Sequence, residues 1–201
     1  MRIEEQLFLR HVRQELKLAG YELFISKGKY VRDKDVGPSS GIFDEGGKRL
    51  SIAVGAGNWI LTLAHEYSHF KQLQKNTRAH RVHDKCKANI WNWLAGKVEY
   101  TPDVLNRCVL TTIMMERECE LFAIKELKKH NIRFDVLKYH RQANAYLYFY
   151  TFVQKHRKWL SPRKYSVSEL IEIQQLMPSK IKRSFKRMPK GYEELVLTYC
   201  I

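Results

Sequence analysis

Trp59-Ile60-Leu61-Thr62-Leu63-Ala64-His65-Glu66-Tyr67-Ser68-His69-Phe70 is the stretch on which the reading of this chain turns. It holds H-E-x-x-H inside an apolar run. On an α-helix, residues four apart stack on one face, so His65 and His69 present their imidazoles to the same point. Glu66 sits beside the first of them, where its carboxylate can take a proton from a water held there. The preceding Gly55-Ala56-Gly57-Asn58 is a turn signal, and Asn58 suits the N-cap of a helix starting at Trp59. Leu63, Ala64, Tyr67 and Phe70 predict that this helix is largely buried. Two buried imidazoles and a carboxylate are costly without a partner, and a metal ion removes that cost. The pattern points to Zn²⁺ rather than to two histidines on a solvated face.

A zinc that performs hydrolysis usually takes three protein ligands and keeps one position for water. The third is sought in Glu116-Arg117-Glu118-Cys119-Glu120-Leu121-Phe122-Ala123. This segment falls in a helical pattern from about Pro102 to Lys129, opened by Thr101 as N-cap and Pro102 at the first helical position. Val109, Ile113, Glu116, Glu120, Ala123 and Leu127 share one stripe. Glu116 and Glu120 interrupt its apolar character, and a carboxylate on a buried face needs a positive partner. Glu118 points elsewhere. The alternative is an exposed face on which Glu120 pairs with a Lys or Arg.

Together these segments resemble the gluzincin metallopeptidases. Many of that family carry H-E-x-x-H on one helix and E-x-E-A-D-x-F-A on a later one, where the first Glu is a ligand and the Asp orients a zinc-bound His. The resemblance implies Glu116 as third ligand and Glu120 in the orienting role, with Glu120 as ligand the second choice. This chain has Cys119 in place of Ala and Glu120 in place of Asp. The wider string Phe43-Asp44, Lys48 to Val54, Trp59-Ile60-Leu61 and His65 to Gln72 is similar to small predicted metallopeptidases of tailed bacteriophages and some bacteria. That resemblance spans roughly residues 40 to 160. It implies an α+β, mostly helical zincin-like domain with a small β-sheet near the active-site helix. It also implies hydrolysis of peptide bonds in a protein or peptide substrate.

At 201 residues and 44% apolar, the chain is sized for one domain, with two small ones as the alternative. The reading taken is a single domain over residues 1–201, with a basic helical extension at 161–201. Arg2, Glu4, Glu5 and Arg10 break any apolar leader, and no stretch of about 18 apolar residues could span a membrane. Cys86, Cys108, Cys119 and Cys200 are scattered, with no C-x-x-C pair. A reducing cytoplasm is therefore expected, that of the host cell if the chain is phage-encoded. Cys86 with His80 or His83 does not match a usual zinc module.

The net charge of +15 favours contact with polyanions, whether nucleic acid, an anionic membrane or an acidic protein, and is densest over residues 155–164 and 180–190. The alternative function is thus non-catalytic: a zinc protein whose basic surface binds nucleic acid or an acidic partner. A hybrid would be a DNA-associated protease resembling the SprT-like group, which usually has a third His where this chain offers Glu. Oligomeric state is not encoded in any feature of the sequence.

Along the remaining chain, residues 2–18 read as an amphipathic helix with Leu7, Val12 and Leu16 among its apolar positions, stopped at Gly20. Residues 21–25 read as a strand, 32–47 as a loop or loose hairpin connection, and 49–54 as a second strand. The second strand is the candidate sheet edge for pairing with an extended substrate. Helices are expected at 85–94, 135–160 and 166–176, the last stopped by Pro178, with the tail packing back on the core. The aromatics of 135–160 suggest a central packing element. Tyr146 or Tyr150 is the candidate for stabilising an oxyanion near the zinc.

Overall fold

The computed structural model describes residues 1–33, 37–86, 88–161 and 164–201. The fold is α+β; the described residues are 56% helical and include one mixed three-stranded sheet and one two-stranded sheet. Contacts divide it into two compact units, residues 1–77 with 119–133, and residues 78–118 with 134–201.

The first unit opens with α1 (Ile3–Leu18), whose buried stripe is Phe8, Leu9, Val12 and Leu16. Leu7, though apolar, is 50% exposed, because Phe8 and Leu9 take the inward positions. The sheet consists of β1 (Glu22–Ser26), β5 (Arg49–Ala53) and β4 (Gly41–Asp44), with β5 in the middle. β1 runs parallel to β5 and β4 antiparallel to it. This overturns the expectation of an edge role for 49–54: both sides of β5 are already paired. The burial of Leu50, Ser51, Ile52 and Ala53 fits a central strand.

The segment expected as loop holds three strands, β2 (Val31–Asp33), β3 (Gly37–Ser39) and β4, of which β2 and β3 form the two-stranded sheet. Residues 34–36 of that expected loop lie outside the described residues. Strands of three or four residues carry too little alternation to register as a period in the sequence.

α2 (Trp59–Gln74) starts where expected, after Asn58, although the Asn58 side chain makes no cap hydrogen bond. It packs on β4 and β5. Leu63, Ala64, Tyr67 and Phe70 are fully or almost fully buried. The last part of α5 (Pro102–Lys129) completes this unit with Ala123 and Leu127. α5 is a single unbroken helix, and the division between units falls within it, between Glu118 and Cys119.

The second unit is helical: α3 (Arg78–Cys86), α4 (Ile90–Leu94), the first part of α5, α6 (Val136–His156), α7 (Ile171–Leu176) and α8 (Tyr192–Tyr199). One helix over 85–94 was expected. Instead Asn89 caps a separate α4, its Oδ1 accepting from the Trp91 and Asn92 amides at 2.8 and 3.1 Å. α6 ends at His156, short of 160, because Arg157 takes a left-handed backbone, φ 49°. α7 begins at Ile171 rather than 166.

Tyr148, Phe149, Phe152 and Val153 make α6 the centre of this unit's core, which Tyr192, Val196 and Cys200 join from the C-terminal segment. Asn144, fully buried, fastens the basic segment: its Nδ2 donates to the Pro178 and Lys180 carbonyls, and its Oδ1 accepts from the Lys182 amide. No helix among the described residues is long and apolar enough to cross a membrane.

Candidate metal centre

The apolar positions of α2 turn one face into the core and leave His65, Glu66 and His69 half-buried on the other. The two imidazole rings stand 5.0 Å apart between centroids and nearly perpendicular, at 82°. Side chains one turn apart on the same face take up such an arrangement.

Across from them, α5 presents Glu116 and Glu120, each only 8% exposed, on the stripe that also carries Val109, Ile113, Ala123 and Leu127. Glu120 Oε1 lies 3.3 Å from His65 Nδ1. With the Nδ1 proton directed at that carboxylate, the lone pair of His65 is left on Nε2, and the ring is fixed in orientation. The extra methylene of Glu relative to Asp therefore does not prevent the contact. Glu116 lies one turn before Glu120 on the same unbroken helix, hence on the same face. One ligand atom each from His65, His69 and Glu116 form a set lying within 4.8 Å of one another.

This donor set fits zinc. Two imidazole nitrogens and a carboxylate oxygen are ordinary zinc ligands, and bonds of 2.0–2.2 Å in tetrahedral geometry place donors about 3.4 Å apart. Small rotamer adjustments would contract the observed set to that spacing. The structure brings together His65, His69, Glu116 and Glu120, as well as Glu66 beside them. Tyr146 and Tyr150 belong to the second unit, where the Tyr150 hydroxyl reaches that of Tyr146 at 3.5 Å.

Cys119, where the resembled family has Ala, is fully buried and donates through Sγ to Oε1 of the equally buried Gln72, at 3.0 Å. α2 and α5 are thus joined one turn away from the histidines by a polar contact that Ala could not make.

The site has two contributors that sequence reasoning missed. Glu66 Oε2 accepts the Phe43 backbone N–H at 2.9 Å. The Ala53 amide donates to the Ser40 carbonyl, so even-numbered residues of β4 face β5, while the Gly41 and Phe43 backbone groups face away. β4 thereby directs a donor at the Glu66 carboxylate. The second contributor is Gly41. A Cβ there would stand 2.7 Å from Thr62 Cγ2 and 3.0 Å from Glu66 Cγ, so the strand can lie against α2 only without a side chain. The only signal available in advance was a lone Gly before an apolar pair in a segment read as loop. No family model, curated protein or solved structure matches the chain.

Proposed function

We propose that the chain is a zinc-dependent metallopeptidase of gluzincin type that hydrolyses peptide bonds. The observation that carries this reading is the convergence of His65, His69 and Glu116 donors, with His65 oriented by Glu120 and Glu66 alongside. His65, His69 and Glu116 would hold the ion, and a water would complete the set. Zinc so bound would supply a Lewis acid that polarises the scissile carbonyl and makes water acidic enough to attack near neutral pH. Glu66 takes the proton of the attacking water and passes it to the leaving amine. Its Oε2 is occupied by the Phe43 amide, so Oε1 is the oxygen turned to this task. Glu120 keeps the His65 ring in the required tautomer.

Cleavage of an unstructured protein should stop on chelation with 1,10-phenanthroline and return on adding zinc. His65→Ala should lose one equivalent of zinc by elemental analysis. Full activity in a chelated, metal-free chain would remove the proposal.

The exposed run Lys180, Lys182, Arg183, Lys186, Arg187 and Lys190 supports a second reading, binding of nucleic acid or an acidic partner. Affinity for DNA falling steeply with salt, and lost when this run is neutralised, would support it.

A further inference from the structure

The middle of α1 and the last turn of α5 bring together another set of donors, sharing no residue with the first. His11, Glu126 and His130 offer one ligand atom each, and these atoms lie within 4.8 Å of one another. All three belong to the first unit. Glu126 and His130 are four residues apart, and the His130 amide donates to the Glu126 carbonyl at 3.0 Å, so the helical turn carries both onto one face.

Glu126 Oε2 and His130 Nε2 stand 3.7 Å apart. That is too long for a hydrogen bond. Both atoms are buried, and neither has a hydrogen-bond partner among the described residues. Buried polar atoms in folded proteins are nearly always partnered, and exceptions point to a water or an ion. Two donors on a tetrahedral zinc sit about 3.4 Å apart, close to the separation seen here.

The third donor is held in place. His11 Nε2 lies 3.3 Å from the Tyr67 hydroxyl, which itself donates to Glu15 at 2.9 Å. The His11 and His130 rings are 4.7 Å apart, and Phe8 covers His130 with ring centroids 4.9 Å apart. Besides the imidazoles, Lys129 approaches Glu126 to 4.0 Å, with its side chain 62% exposed. It lies beyond hydrogen-bond reach and can turn to solvent.

We propose that His11, Glu126 and His130 form a second site for a divalent transition metal, zinc by its donor chemistry, which staples α1 to the end of α5. Two imidazoles with one carboxylate suit zinc and its borderline neighbours better than calcium or magnesium. The ion would join segments far apart in sequence, so its binding free energy would add to folding stability.

The test uses the full chain carrying His65→Ala and His69→Ala, stripped of metal and titrated with zinc. Bound zinc is counted by mass spectrometry after gel filtration, and the melting temperature is followed in parallel. One tightly bound equivalent with a raised melting temperature is expected, and both should vanish when Glu126→Gln is added. In the otherwise unaltered chain, Glu126→Gln alone should lower the zinc count from two to one, with the far-UV circular dichroism unchanged. A His65→Ala/His69→Ala chain that binds no zinc would overturn the proposal, as would Glu126→Gln and His130→Ala variants that bind as much as their parent. A chain holding a single zinc that survives loss of His65 and His69 but not Glu126→Gln would keep this site and remove the first.

Discussion

Gly41→Ala tests how β4 positions Glu66. The added methyl would stand 2.7 Å from Thr62 Cγ2, 3.0 Å from Glu66 Cγ and 3.2 Å from Ile52 Cδ1. Ordinary carbon contacts begin near 3.5 Å, so β4 or α2 must retreat by roughly 0.8 Å. Ile52 is fully buried and β5 is paired on both sides, so relief towards the sheet is closed. Overpacking of this size costs about 1–3 kcal/mol. The Phe43 amide travels with the strand, and its 2.9 Å bond to Glu66 is stretched or lost. Misplacing a reacting group by about 1 Å can cost on the order of 100-fold in rate. Urea unfolding of the zinc-loaded protein should therefore show an earlier midpoint at constant slope, and peptide cleavage should fall by roughly that factor while the zinc content is kept. A Gly41→Ala protein with wild-type midpoint and wild-type cleavage would refute the packing argument and the role assigned to β4.

Glu120→Ala should weaken zinc binding by about 10–100-fold, measured by competition with a chromogenic chelator, because His65 loses the carboxylate that orients it. Native thiol titration should label Cys86, which is half-buried, well before the other three. Burial pushes Cys108 and Cys200 up to about 11, leaving almost no thiolate near neutral pH, and Cys119 is enclosed against Gln72. The Lys71 ammonium, 2.8 Å from Glu15, holds that carboxyl below its ordinary 4.5. Its contribution to stability is present above about pH 4.5 and fades as the pH falls through the lowered value. Glu15 is partly solvated, so the effect is small, and Glu15→Gln should lower the neutral plateau of a stability–pH curve slightly while flattening its acid limb, the two proteins converging at low pH.

The helices that carry the site were legible because they are long, strongly periodic and marked at their ends. Asn58-Trp59 opens α2, and Thr101-Pro102 opens α5, whose stripe from Val109 to Leu127 isolates Glu116 and Glu120 as buried carboxylates. The sheet was only half legible. Alternation at Leu50, Ile52 and Val54 identifies a strand, but the neighbours of a strand are set by distant segments, and β4 has only four residues with which to signal itself. Hence the central place of β5 and the hydrogen bond from Phe43 to Glu66 emerge only in three dimensions. The same holds for His11, Glu126 and His130: the first two are each an ordinary polar residue of a helix, and His130 directly follows the end of α5. Their meeting depends on how α1 packs within its unit. The split between α3 and α4 turns on the Asn89 side chain, a capping choice that competes locally with a continuous helix.

Comparison of wild type with Glu66→Gln, each assayed for zinc content and for cleavage of the same unstructured protein, bears most directly on the central claim. The amide keeps the shape of the carboxylate and still accepts the Phe43 N–H, but it cannot take a proton from water. Unchanged zinc with cleavage reduced by at least about 100-fold, the scale of general-base catalysis, is the expected result. Cleavage by Glu66→Gln at the wild-type rate would contradict the account.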